Sequence, residues 1–206
     1  NAKAFGYSIS AEEGARVTAT SEFTRRSWGS TGDATSVTLD ARGYLRAWPR
    51  HAALAARGAF AASTGDDGAR RIFTAGGSGP RPGGFDFGSD AIGLVRGFDD
   101  DRIAGPRALV ANIDYRFPLA RVQRGLGTLP FMLRTIHGAV FADFGNAWES
   151  GFDRRDIRRA VGGELSFDIV AGYVLPFTFA TGVSWRDDPV ARDRGVVGFA
   201  RIGRAF

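Results

Sequence analysis

Arg96, in the run Val95-Arg96-Gly97-Phe98, lies in a glycine-rich stretch, and Asp114 and Asp143 follow it on segments whose polarity alternates residue by residue. A guanidinium presents its N–H donors in a planar fork and serves two carboxylates at once, which an ammonium cannot do with the same geometry. The chemistry on offer is a loop-to-wall clamp, in which the cation sits on the loop and the acids on the wall. If such a pair is dry, removing one side costs about 3–5 kcal/mol, and less in a wet lumen. The plain alternative is a solvated loop arginine and two ordinary acids.

Other reactive residue types fall short of a site. Asp99-Asp100-Asp101 lacks the ligand spacing of an EF-hand and reads as a solvated acidic loop. His51 and His137 are isolated in the sequence, so neither a metal centre nor histidine-based catalysis is expected. Ser27, Ser63 and Ser184 have no Gly-x-Ser-x-Gly setting. The expectation is a protein that is not an enzyme and uses no metal or cofactor.

The elements that would hold the clamp read as strands. Between Leu109 and Leu119 the odd positions Leu109, Ala111, Ile113, Tyr115, Phe117 and Leu119 are apolar, while Asn112, Asp114 and Arg116 fall on the other face. The same period of two runs through Val161 to Ala171 against Glu164, Ser166 and Asp168, and through Phe177 to Trp185 against Thr178, Gly182 and Ser184. Placing Val140, Ala142 and Phe144 outward turns Phe141, Asp143 and Gly145 inward, with the glycine leaving room beside the loop. Weaker alternation occurs at Phe5 to Ile9, Val17 to Phe23, Val37 to Ala47 and Leu54 to Ala62, and a final strand runs from Gly195 to Phe206. That makes about nine strands, each near the roughly 9–11 residues that cross a bilayer when tilted.

The connections differ by side. Glu12-Glu13-Gly14, Pro49-Arg50-His51 and 173–175 are tight, 25–34 and 187–194 are longer, and 64–106 is a long inserted loop that carries the arginine motif. Loops of that size in compact folds are usually functional or disordered. Short turns on one side and long loops on the other are the layout of a transmembrane β-barrel, and Trp28, Trp48, Trp148 and Trp185 near strand ends fit an interfacial girdle. A soluble β-sandwich alternates too, with its apolar face inside, so alternation alone leaves that choice open.

Composition agrees with an all-β chain: 206 residues hold 29 glycines, 17 phenylalanines and no cysteine. No apolar run is long enough for a membrane-spanning helix. The net charge of +5 comes from arginines scattered along the strands, which argues against a nucleic-acid surface. The chain starts at Asn1 without a signal peptide, as expected of a mature or excised portion of something longer.

Val95-Arg96-Gly97-Phe98, Asn112-x-Asp114-Tyr115-Arg116-Phe117-Pro118-Leu119, Phe141-x-Asp143-x-Gly145-Asn146-Ala147-Trp148 and terminal Phe206, in that order, resemble the C-terminal barrel of the BamA/TamA superfamily of outer-membrane insertases and two-partner secretion transporters, the bacterial surface antigen family. The likeness is close over residues 90–206 and rests on strand rhythm before that. It implies a sixteen-stranded barrel of which residues 1–206 supply the last part, one domain incomplete at its N-terminal side, with soluble domains upstream. It also implies a loop arginine, Arg96, pinned inside the barrel to Asp114 and Asp143.

Further implications concern function. The last strand would form one side of a seam, with Gly195, Gly198 and Gly203 letting it bend or simply giving packing room, and Phe206 as part of a C-terminal assembly signal. Arg204 departs from the outward apolar parity of Ala200, Ile202 and Phe206 and is expected to reach the headgroups. The implied partners are unfolded outer-membrane or secreted polypeptides, outer-membrane lipid and lipopolysaccharide, and periplasmic accessory proteins, with the C-terminus in the periplasm. A passive pore and a membrane anchor for an upstream enzyme are the alternatives. On this reading, a charge swap between Arg96 and Asp143 restores part of what Arg96→Ala loses.

Overall fold

Period-two alternation, frequent glycine and β-branched or aromatic outward positions leave little for a helix to bury. The computed structural model describes residues 10–77, 91–125, 127–172 and 174–202, and among these the only helical pieces are single 3-10 turns at Arg26–Trp28 and Arg154–Asp156. Strands β1 (Gly14–Thr24), β2 (Ala34–Ala47) and β3 (Ala52–Gly65) come first. Three short strands follow: β4 (Phe73–Ala75), β5 (Ala91–Gly93) and β6 (Ile103–Gly105). The chain then runs through β7 (Arg107–Gly125), β8 (Phe131–Trp148), β9 (Arg158–Ala171), β10 (Leu175–Asp188) and β11 (Asp193–Ile202).

The long strands form one antiparallel sheet in the order β1-β2-β3-β7-β8-β9-β10-β11, open at β1 and β11 among the described residues. The short ones form a separate sheet, β5-β4-β6. Eight long strands are thus described where the sequence predicts nine; the other, at Phe5 to Ile9, lies outside the described residues, as do Gly203, Arg204 and Phe206.

Burial decides between barrel and sandwich. Leu39, Leu54, Leu109, Ile113, Val140, Val161, Leu165, Val183 and Val196 are exposed on one face. Ser36, Asn112, Asp114, Arg116, Asp143, Ser166, Thr178, Ser184 and Arg201 are buried on the other. A water-soluble sheet does the reverse, whereas a barrel in lipid turns its apolar residues outward. The molecule is therefore all-β, with the wall of an antiparallel transmembrane barrel.

This inversion has a measurable consequence at Ile113, in β7 and 47% exposed. Ile113→Arg is expected to cost the barrel about 2–4 kcal/mol in lipid, where a wet surface position would tolerate it within about 0.5 kcal/mol. Urea-dependent folding into lipid vesicles measures the difference.

The described parts of the 64–106 connection, 64–77 and 91–106, carry three short strands and pack on the wall. Phe73, Ala75, Ile92, Val95, Phe98 and Ile103 from this segment pack with Ala61, Ala108, Val110 and Ala160 of the wall. Its short sheet thereby fills part of the inner face with a small apolar core of its own, and Arg57 on β3 donates to the carbonyl of Ile92 at 2.8 Å.

Two other expectations need correction. Strands exceed the bilayer-spanning length, reaching 19 residues in β7 and 18 in β8, because these two keep pairing with each other past the end of β3, through two register shifts. The connection expected at 187–194 shrinks to 189–192. Arg186–Asp193 and Arg194–Asp187 ion pairs, both 2.7 Å, zip the ends of β10 and β11 together, and Asp188 accepts from the backbone N–H groups of Val190 and Ala191. Elsewhere at this end of the sheet, Asp66 accepts from the backbone N–H of Asp33 and from Arg26, and both hold its carboxyl below the usual carboxylate range.

Candidate functional site

The turn that presents Arg96 is closed by a hydrogen bond from the Phe98 N–H to the Val95 carbonyl, 3.2 Å. Gly97 follows at φ +89°, a conformation that glycine adopts without steric cost. A Cβ there would also lie 2.8 Å from both Cβ and Oγ of Ser184. The loop tip therefore rests directly on β10.

Arg96 is completely buried, as are Asp114 and Asp143. Asp143 takes most of the load: its Oδ2 accepts from the Arg96 backbone N–H at 3.0 Å and from Nε at 2.8 Å, and its Oδ1 accepts from Nη2 at 2.8 Å. Asp114 Oδ1 accepts from the same Nη2 at 2.5 Å, while its Oδ2 accepts from Nη2 of Arg116 at 2.9 Å. One fork thus serves two carboxylates from neighbouring strands, as the geometry of arginine allows.

Neighbours fix this arrangement. Asn112 Nδ2 donates to Asp143 Oδ1 and to the Leu94 carbonyl, both at 2.8 Å, so one side chain orients the acid and the loop together. The Phe141 ring lies beneath the guanidinium, with Arg96 Cζ 3.6 Å from the centroid, a cation–π contact that desolvation strengthens. From β10, Ser184 Oγ donates to the Arg96 carbonyl at 2.9 Å and Arg186 Nη1 to the Gly97 carbonyl at 3.0 Å. Gly145 makes room for the loop: a Cβ there would sit 2.7 Å from Ile103 Cδ1 and 2.8 Å from Val95 Cγ2.

Among the described residues the buried charges of the cluster are equal in number. Arg96, Arg116 and Arg201 face Asp114, Asp143 and Glu164, three cations against three anions. Balance matters because an unpaired charge at this depth costs several kcal/mol, on the order of 3–5. What the arrangement does is hold the loop tip to the wall through charged hydrogen bonds.

The structure thus brings together Arg96, Asp114, Asp143, Val95, Gly97, Phe141 and Gly145, and it buries Phe98 in the adjoining apolar core. Gly195 and Gly198 lie apart, on β11, where an added Cβ meets nothing closer among the described residues than the Gly182 carbonyl at 3.9 Å from Gly198. His51 and His137 are not isolated: His51 Nδ1 is 2.9 Å from Glu12 Oε1, and His137 Nδ1 is 3.5 Å from Asp168 Oδ2. Even so, no group of three or more metal-ligating side chains occurs among the described residues.

Sequence reasoning missed Asn112, Ser184 and Arg186 as holders of the loop and Glu164 as its neighbour. Their inward parity was legible, but parity does not say which inward residue meets a loop. Ser184, set aside as a nucleophile, turns out to be a loop anchor.

Residues 7–184 match the model of a protein family described as the Omp85 superfamily domain, a span that takes in residues 7–90, where only strand rhythm points the same way. A comparison with curated proteins gives no match.

Proposed function

The chain belongs to the Omp85 superfamily, a bacterial outer-membrane family of protein insertion and secretion, and from that premise we propose that its barrel accepts unfolded outer-membrane or secreted polypeptides at the edge of its last strand, with the clamped loop bracing the lumen. The work comes from the client's own strands becoming buried and hydrogen-bonded, so neither nucleotide nor metal is needed. Outer-membrane lipid and lipopolysaccharide surround the apolar belt, the C-terminus lies in the periplasm, and residues 1–206 form one barrel domain completed by strands and soluble domains on the N-terminal side. Arg96, Asp114 and Asp143 act as structural clamps for transport.

The observation that carries this reading is a loop pinned by Arg96 to the inner wall of a sheet whose apolar residues face outward. On this reading β11 pairs with β10 on one side and meets the barrel's first strand along a weakly held seam on the other, where an extended chain can add by backbone hydrogen bonds. Gly195 and Gly198 weaken the strand interior and ease its bending.

Residues 1–206 hold no cysteine, so a cysteine introduced there is unique within them. A single cysteine replacing Val196, exposed on β11, is expected to form a disulfide with a cysteine in the terminal strand of an outer-membrane client during assembly. One replacing Leu39, exposed on β2 away from the edge, is not. Equal capture at both positions, or none at either, would point to a passive pore or an anchor.

A further inference from the structure

The buried cluster continues from the clamp toward the sheet edge. Glu164 on β9 has Oε2 at 3.6 Å from Arg96 Nη1, and its Oε1 accepts from Arg201 Nη2, on β11, at 2.6 Å. Those strands are not neighbours, because β10 runs between them. The bridge passes over Ala180 and Gly182, which register opposite Arg201 and Glu164 respectively. Only small residues leave space there for two long side chains to meet.

A second, uncharged route runs alongside. The Phe141 ring beneath Arg96 meets Phe199 of β11 edge to face, with centroids 5.9 Å apart. Gly182 again makes this possible: a Cβ there would lie 2.7 Å from Phe199 Cζ and 2.4 Å from the Gly163 carbonyl. One ionic and one aromatic contact therefore link the loop arginine to the last described strand, and both cross the same glycine.

We propose that Glu164, Arg201 and Phe199 are positioning residues that hold the edge strand β11 to the loop clamp, so that the seating of Arg96 and the placement of that edge change together. The reason is electrostatic as well as steric. Glu164 and Arg201 have side chains only 6% and 5% exposed, so removing either charge weakens a pair that little water can replace. Arg201 is carried on the edge strand, so its pairing with Glu164 ties that strand to the clamp. The relevance of this linkage to clients rests on the proposed reading of β11 as the receiving edge; the linkage itself does not.

The test is a distance between two nitroxides on the outward face of the complete chain in lipid nanodiscs, at Leu165→Cys on β9 and Ala200→Cys on β11. Both residues register with Thr181 of β10, which places their backbones about 10 Å apart, within reach of dipolar broadening. Glu164→Gln and Arg201→Gln are each expected to abolish most of that broadening. Arg96→Ala should do the same, and should add little in a Glu164→Gln background because the two act through one connection. The double variant Glu164→Gln/Arg201→Gln, which removes both charges together, should retain more broadening than either single variant and remains informative if a single variant fails to assemble. Unchanged broadening in the assembled Glu164 and Arg201 variants, or an edge strand indifferent to Arg96→Ala, overturns the proposal. A loosened β11 with client assembly unchanged leaves the linkage standing and removes the reading of β11 as the receiving edge.

Discussion

Arg96→Ala is expected to release residues 91–105 from the wall and to do so more completely than any other single change among them. The substitution leaves Asp114 and Asp143 facing each other without the shared cation and deletes its three hydrogen bonds to them, together with the cation–π contact on Phe141. Removing one side of a buried, hydrogen-bonded pair costs about 3–5 kcal/mol, enough to shift a seated loop to a mostly unseated one. Limited proteolysis in lipid reads this directly: cleavage within 91–105 should become fast while the eight long strands stay resistant. Arg96→Lys should recover little, because a single ammonium cannot span both acids with the same geometry. The exchange Arg96→Asp/Asp143→Arg, which sequence alone recommends as a partial rescue, is a poor one on this geometry. It places a new carboxylate beside Asp114 and deletes the acceptor for the residue 96 backbone N–H.

Asp143→Asn is expected to be more damaging than Asp114→Asn. Each leaves the cluster one positive charge in excess, so the net imbalance is the same and the difference comes from hydrogen bonds. Asp143 accepts two side-chain bonds and one backbone bond from Arg96, and a further one from Asn112. Asp114 accepts a single bond from Arg96 and otherwise serves Arg116. With charged hydrogen bonds contributing about 1.5–3 kcal/mol each, the Asp143 variant should lose at least about 2 kcal/mol more of loop seating. Hydrogen exchange of the amides at 92–98 ranks the two variants, and equal protection would mean that the load is shared evenly.

The faces of the strands were readable because a side chain in a strand has only two directions, so one polar position fixes the rest. Asn112, Asp114 and Arg116 fell inward for that reason, and Ile113 outward. The clamp was readable because arginine on a glycine-rich turn and aspartate on inward positions are complementary in charge and shape. What stayed hidden depends on three-dimensional proximity. Nothing in the run Phe73–Ala75 announces a strand that packs on the inner wall, since its partners at 91–93 and 103–105 are distant in sequence and short. Ser184 and Arg186 look like any inward residues until the loop comes to lie on them. Glu164 and Arg201 are joined only because the glycine between them, Gly182, belongs to a different strand.

The most direct test of the central claim, that a loop guanidinium clamped inside the barrel is required for handling polypeptides, is the rate at which the complete protein, reconstituted in lipid vesicles, assembles or exports an unfolded client when Arg96 is alanine. The clamp predicts a loss of at least tenfold, the equivalent of about 1.4 kcal/mol, with the variant still folded into the membrane. An unchanged rate from a folded variant whose loop is demonstrably free would contradict it.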